Sequence, residues 1–143
     1  MQDPNPSIPL AECHCLNLWR AALRTIERYN QQVEPAGISI QQFSLLRHLR
    51  AFAPIAVTDL AQAMRLDRST LSRNLKLLEQ RGLVTNVATS GRSKQFTLTP
   101  EGQTVLTQAE GYWNQAQRAL EAQLGPEHLS QWQEILTLLL KDG

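Results

Sequence analysis

Residues 67–98 constrain this chain more than any other stretch. Asp67 precedes RSTLSRNLKLLEQ, in which Leu71, Leu75 and Leu78 recur at helical spacing. At 100° per residue the three leucines gather on one side, and Ser69, Arg73, Lys76 and Gln80 fall on the other. The pattern predicts a helix from about Arg68 to Gln80, with Asp67 as its cap and Gly82 as its stop. Two β-favouring runs follow at once, Leu83–Val87 and Gln95–Leu98, on either side of a Ser90-Gly91 turn. Just upstream, Thr58 is placed to cap a short helix, Asp59–Met64, with Leu60 and Met64 on one side. Arg65-Leu66-Asp67 joins the two helices. Two short helices with so short a joint read as a helix-turn-helix, here running straight into a hairpin.

The flanks are helical. Leu16, Trp19, Leu23, Ile26 and Tyr29 are spaced by three or four, and that helix should end before Pro35-Ala36-Gly37. Ser39 with Gln42 three residues on is a capping-box arrangement. The helix it opens buries Phe43, Leu46 and Leu49 and breaks at Ala53-Pro54. Thr99-Pro100-Glu101 opens a long helix carrying Val105, Leu106, Tyr112, Trp113 and Leu120. Gly125-Pro126 separates it from a last helix with Leu129, Trp132, Ile135, Leu136 and Leu139. The expected order is α-α-α-α-β-β-α-α. The fold class is mainly α with a small β-hairpin wing, a winged helix-turn-helix between terminal helices. Residues 1–9 hold three prolines and are expected to form a loose arm.

The net charge of the 143 residues is only +1, but it is unevenly placed. Between Arg65 and Gln95 stand seven bases against two acids, a net +5, which leaves −4 on the rest. A basic island in an otherwise acidic chain suits a face that meets a polyanion. The competing explanation, a polar helical hairpin facing water, accounts for the helices. It does not account for a basic helix followed directly by a basic hairpin tip. Arg92 and Lys94 at that tip suit a wing that lies along the DNA backbone and sends an arginine into the minor groove.

The chemistry of catalysis is hard to find. His14, His48 and His128 are far apart in sequence, and no glycine-rich phosphate loop or CxxC is present, so no enzyme and no cofactor are expected. No apolar run reaches the length of a membrane span, and MQDPNPSIPL does not read as a secretory signal. Cys13 and Cys15 make no disulfide framework, which fits a reducing cytoplasm. Redox sensing by the pair competes with the plainer expectation that both thiols are buried and inert at a subunit contact, and no metal site is expected.

DRSTLSRNLKLLEQRGLV, the hairpin and LTPEG together resemble the MarR family of winged-helix transcriptional regulators. CHCLNLWRAALRTIERYNQQVEPAGISIQQFSLL is similar to a common proteobacterial branch of that family. The resemblance covers about residues 10–140. It implies a homodimer whose two lobes grip a pseudo-palindromic operator in double-stranded DNA, with affinity switched by a small-molecule effector or an oxidant. Thr70, Ser72 and Arg73 match base-reading and phosphate-contacting positions, and Arg92 matches the wing arginine. Where the family usually has an aspartate two residues before that arginine, this chain has Ser90, which can bond a guanidinium less strongly.

The expected organisation is an arm at 1–9, dimerisation helices at 10–38 and 100–143, and a DNA-binding lobe at 39–99. The expected DNA contacts are Arg68, Ser69, Thr70, Ser72, Arg73, Lys76, Arg92 and Lys94. Trp19, Tyr29, Phe43 and His48 are candidates for an effector pocket where the lobe meets the terminal helices, although aromatic residues at helical spacing are more often core. Two other readings of the chain are a winged-helix module for protein–protein contact without DNA, and a thiol- or metal-responsive regulator using Cys13 and Cys15.

Overall fold

A computed structural model describes residues 9–141. Most of the expected arm therefore lies outside the described residues. Five helices and three short strands follow in the order α1 (His14–Val33), α2 (Ile40–Phe52), β1 (Ile55–Ala56), α3 (Val57–Met64), α4 (Arg68–Gln80), β2 (Val84–Asn86), β3 (Gln95–Leu98) and α5 (Pro100–Leu140). The protein is mainly helical with a small antiparallel sheet, as the sequence predicts.

The caps show why the helices begin where they do. Asn17 clamps the chain entering α1, accepting from the Ala11 amide at 2.9 Å and donating to the Ala11 carbonyl at 2.9 Å. Pro35 starts a one-turn 3-10 helix, Glu34–Ala36, which Gly37 closes at φ 78°. Ser39 and Gln42 form the full capping box of α2. Thr99 caps α5 by accepting from the Gly102 amide at 3.0 Å. Thr58 does not cap α3. That helix starts two residues earlier, at Val57, with Ala56 as its extended N-cap and no side-chain bond. Ala56 also ends β1, so strand pairing rather than a threonine hydroxyl fixes the start of α3.

β1 escaped the sequence reading because two residues behind Ala53-Pro54 carry no alternation. It turns the expected two-stranded hairpin into a three-stranded sheet of order β1-β3-β2. Ile55 pairs with Phe96, and Val84, Thr85 and Asn86 pair with Leu98, Thr97 and Phe96. Leu83 lies before the strand rather than in it. The break in α5 falls at Gly125 (φ 78°, ψ 163°), as Gly125-Pro126 predicts.

The core sits under the sheet and between α2, α3, α4 and the first turns of α5. Phe43, Leu45, Leu46, Leu49, Leu60, Leu71, Leu75, Leu78 and Leu106 are fully buried there. Each such side chain stabilises the fold by about 1.5–3 kcal/mol relative to exposure. On α2 the buried set is wider than the expected stripe, because Leu45 is covered too. Phe43 stacks on Trp113 at 5.6 Å between ring centres, Arg47 lies 4.7 Å over the Trp113 ring, and Arg50 pairs with Glu110. These contacts fasten α2 to α5. Tyr29 and Gln117 fasten α1 to α5 through a hydrogen bond. Burial pushes the Tyr29 phenol up and nearby Glu121 adds to the effect, so the hydroxyl keeps the proton it donates.

The chain ends are different. Leu18, Trp19 and Leu23 on α1 and Trp132, Ile135, Leu138, Leu139 and Leu140 on α5 are all at least 36% exposed. No described helix is long and apolar enough to cross a membrane.

Candidate nucleic-acid interface

The outer face of α4 is built by its inner face. Leu71, Leu75 and Leu78 are driven into the core, and the 3.6-residue period then sends Ser69, Arg73, Lys76 and Gln80 outward, where all four are exposed. Arg68 and Ser72 are exposed beside them, and Thr70 is half-buried. The polar row follows from the helix period and the core.

The N-terminal end of α4 is tightly organised. The Asp67 carboxylate accepts from the Thr70 amide at 3.1 Å, from the Thr70 hydroxyl at 3.1 Å and from the Ser69 hydroxyl. The Arg73 guanidinium donates to the Thr70 hydroxyl oxygen at 3.5 Å. The Ser69 bond, then those from Thr70, hold the Asp67 carboxyl below its ordinary range. At the other end of α4, Arg81 donates to the Gly37 carbonyl at 2.7 Å and ties the helix to the turn after α1.

The wing has its own fastening. Asn86 Oδ1 accepts from both the Ala88 amide and the Gln95 amide at 3.0 Å, bridging the two strands where the hairpin opens. Lys94 lies 3.9 Å from Glu79 of α4, an exposed pair that links wing and helix. Among the described residues nothing hydrogen-bonds the Arg92 guanidinium. Ser90 therefore does not hold it, and Arg92 stands exposed at the tip. The structure thus groups Arg68, Ser69, Thr70, Ser72, Arg73 and Lys76 on α4, with Arg92 and Lys94 on the adjoining wing. Asn86, Arg81 and Asp67 in its bonding to the Ser69 and Thr70 hydroxyls are positioning groups that no spacing along the chain singled out. An asparagine within a strand, where asparagine is disfavoured, was the available signal for the first.

The effector candidates do not share one environment. Tyr29 is buried and lines a cavity of about 230 Å³ between α1 and α5, with Ala116 and Leu120. Phe43 is sealed in the core against Trp113. His48 is half-buried, bonded to the Ser44 carbonyl at 2.7 Å and tilted against Phe52. Trp19 is 62% exposed. Cys13 and Cys15 are exposed in the single chain, and Cys13 has extended backbone ahead of the first helical turn. The burial expected for them would have to come from a second copy. Among the described residues no group of three or more His, Cys, Asp or Glu could hold a metal.

The MarR family sequence profile matches residues 36–93, the segment from the turn after α1 to the wing tip. A Bacillus subtilis (strain 168) protein, the uncharacterized HTH-type transcriptional regulator YxaD, is 34% identical over 110 residues, covering 74% of this chain and 73% of that protein. Among solved structures, the transcriptional repressor CouR bound to p-coumaroyl-CoA superposes with a TM-score of 0.84 at 27% identity, covering 92% of this chain and 94% of CouR. CouR bound to a 23-mer DNA duplex gives a TM-score of 0.82 at 26% identity, covering 91% and 94%. Fold, matched segment and relatives agree: this chain belongs to the MarR family of winged-helix transcriptional regulators, which are regulators and not enzymes.

Proposed function

We propose that the protein is a homodimeric, sequence-specific DNA-binding regulator in which α4 enters the major groove and the wing reaches toward the minor groove. The observation that carries the reading is the exposed row Ser69, Arg73, Lys76 and Gln80 next to a wing whose Arg92 guanidinium has no hydrogen-bond partner among the described residues. Such a row offers the donors and acceptors that phosphates and base edges take. The DNA-bound state of the similar repressor CouR supports it. The dimer is supported by the apolar side chains left exposed on α1 and on α5 beyond Gly125, since a surface of that kind is normally covered by a partner. Under this reading residues 10–38 and 100–143 form the dimerisation part and 39–99 the DNA-binding lobe. A small-molecule response fits the cavity beside Tyr29, and the similar repressor CouR binds p-coumaroyl-CoA.

The test uses duplexes recovered from a random-sequence library with the wild type. Arg73→Ala should weaken binding by about 1–3 kcal/mol and relax one position in each half-site if Arg73 meets a base, or weaken all sequences alike if it meets phosphate. Arg92→Ala should weaken binding most on duplexes with A·T-rich flanks, whose narrow minor groove attracts arginine. Unchanged affinity of both variants at physiological salt refutes the assigned face.

A further inference from the structure

The hydroxyls at the start of α4 have their protons already committed. Asp67 at neutral pH is an acceptor only, and both the Ser69 and the Thr70 hydroxyls donate to it. One of the two lone pairs of the Thr70 hydroxyl receives the Arg73 guanidinium at 3.5 Å. Ser69 is exposed, and its oxygen is left with lone pairs but no proton to offer the solvent side. An isolated serine reads either donors or acceptors, because its hydroxyl rotates. This one is fixed.

We propose that Asp67 sets the polarity of the recognition-helix hydroxyls, so that Ser69 selects a base amino group in the major groove, cytosine N4 or adenine N6, and disfavours a keto oxygen at that place. The inference rests on the DNA-binding reading above. Asp67 is a positioning residue in it, acting through Ser69, which touches the base. An amino group supplies the proton that the serine oxygen lacks. Thymine O4 or guanine O6 would set lone pair against lone pair, and one of them would stay unpaired on leaving water. The same chain of bonds reaches Arg73 through Thr70, so one carboxylate orders the first turn of the reading surface.

The experiment compares wild type, Asp67→Gly, Ser69→Ala and the double variant. Each is selected against a random duplex library and then titrated on the recovered site with every single-base change. Glycine at a helix N-cap costs only about a few tenths of a kcal/mol relative to aspartate, so the fold of Asp67→Gly is kept. It removes the Oδ2 atom that accepts from Ser69 and frees the serine proton to face the base. In the wild type one position per half-site should favour C or A over T or G by about fivefold, the worth of one neutral hydrogen bond. Asp67→Gly should bring that ratio close to one while the other positions keep theirs. Removing a negative charge near phosphate will raise affinity for all sequences alike, so the ratio and not the affinity is the readout. Ser69→Ala should lose the same ratio, and the double variant should lose no more than either single one. An unchanged ratio in Asp67→Gly overturns the proposal. So does a ratio that survives in Ser69→Ala but not in Asp67→Gly, because Asp67 would then touch the base itself. A wild type with no amino-selecting position overturns it as well, and leaves the DNA-binding reading intact. A wild type that recovers no duplex at all removes that reading, and this inference with it.

Discussion

Replacing Gly102 by alanine sets helix propensity against packing. Gly102 is in the first turn of α5, where alanine would ordinarily stabilise by about 1 kcal/mol through a smaller loss of backbone freedom. A Cβ there would stand 2.0 Å from the Leu83 carbonyl oxygen and 2.9 Å from its carbon. An ordinary contact begins near 3.4 Å, so α5 and the chain before β2 must part by about 1.4 Å. The obstacle is backbone, and no rotamer change relieves it. The same carbonyl accepts from the Thr99 amide at 3.1 Å, and the Thr99 hydroxyl donates to the Gly82 carbonyl at 2.6 Å. Overpacking costs about 1–3 kcal/mol, and a weakened Thr99 bond adds about 1 kcal/mol. Less the propensity gain, Gly102→Ala should destabilise by roughly 1–3 kcal/mol. At about 3 °C per kcal/mol for a chain of this size, the melting temperature should fall by roughly 3–9 °C. Gly111→Ala is the control. Gly111 is in the same helix, exposed, with nothing within 4 Å of a built Cβ. It should gain up to about 1 kcal/mol. Far-UV circular dichroism melts and urea titrations at one protein concentration measure both. Wild-type stability or better in Gly102→Ala would refute the close approach as the reason for glycine there.

Three further outcomes are expected. Ile135→Glu with Leu139→Glu should yield a folded monomer in sedimentation with at least tenfold weaker binding to the selected duplex, since two charges would have to be buried at the proposed subunit contact. A monomer with full affinity removes the homodimer. The Asp67 carboxyl, followed by carbon-13 NMR, should titrate below the ordinary aspartate value, and Ser69→Ala should bring it back up. Because the folded value is the depressed one, the stability it contributes is present above the unfolded value and lost as pH falls through the folded value. A midpoint unmoved by Ser69→Ala would show that the serine bond is not the main cause. Finally, Leu75→Ala, at a fully buried site, should destabilise by about 2–5 kcal/mol and leave little folded lobe at elevated temperature. A loss under 1 kcal/mol would mean that the core collapses around the gap.

The sequence by itself determined the elements whose signals are local. Ser39 with Gln42, Asp67, Thr99-Pro100 and Gly125-Pro126 are caps and breakers acting within four residues, and α2, α4 and α5 begin or break where they stand. The leucine period of α4 likewise told its inner face from its outer one. The tertiary structure decided what distant residues must settle together. β1 exists because Ile55 finds Phe96, 41 residues away, and the start of α3 follows from that pairing rather than from Thr58. Gly102 is required because the backbone before β2 passes against α5, which no spacing along the chain reveals. Asp67 was legible as a cap. Its hold on Ser69 and, through Thr70, on Arg73 depends on which rotamers the folded helix start allows, and that geometry exists only once α4 is seated on its leucines.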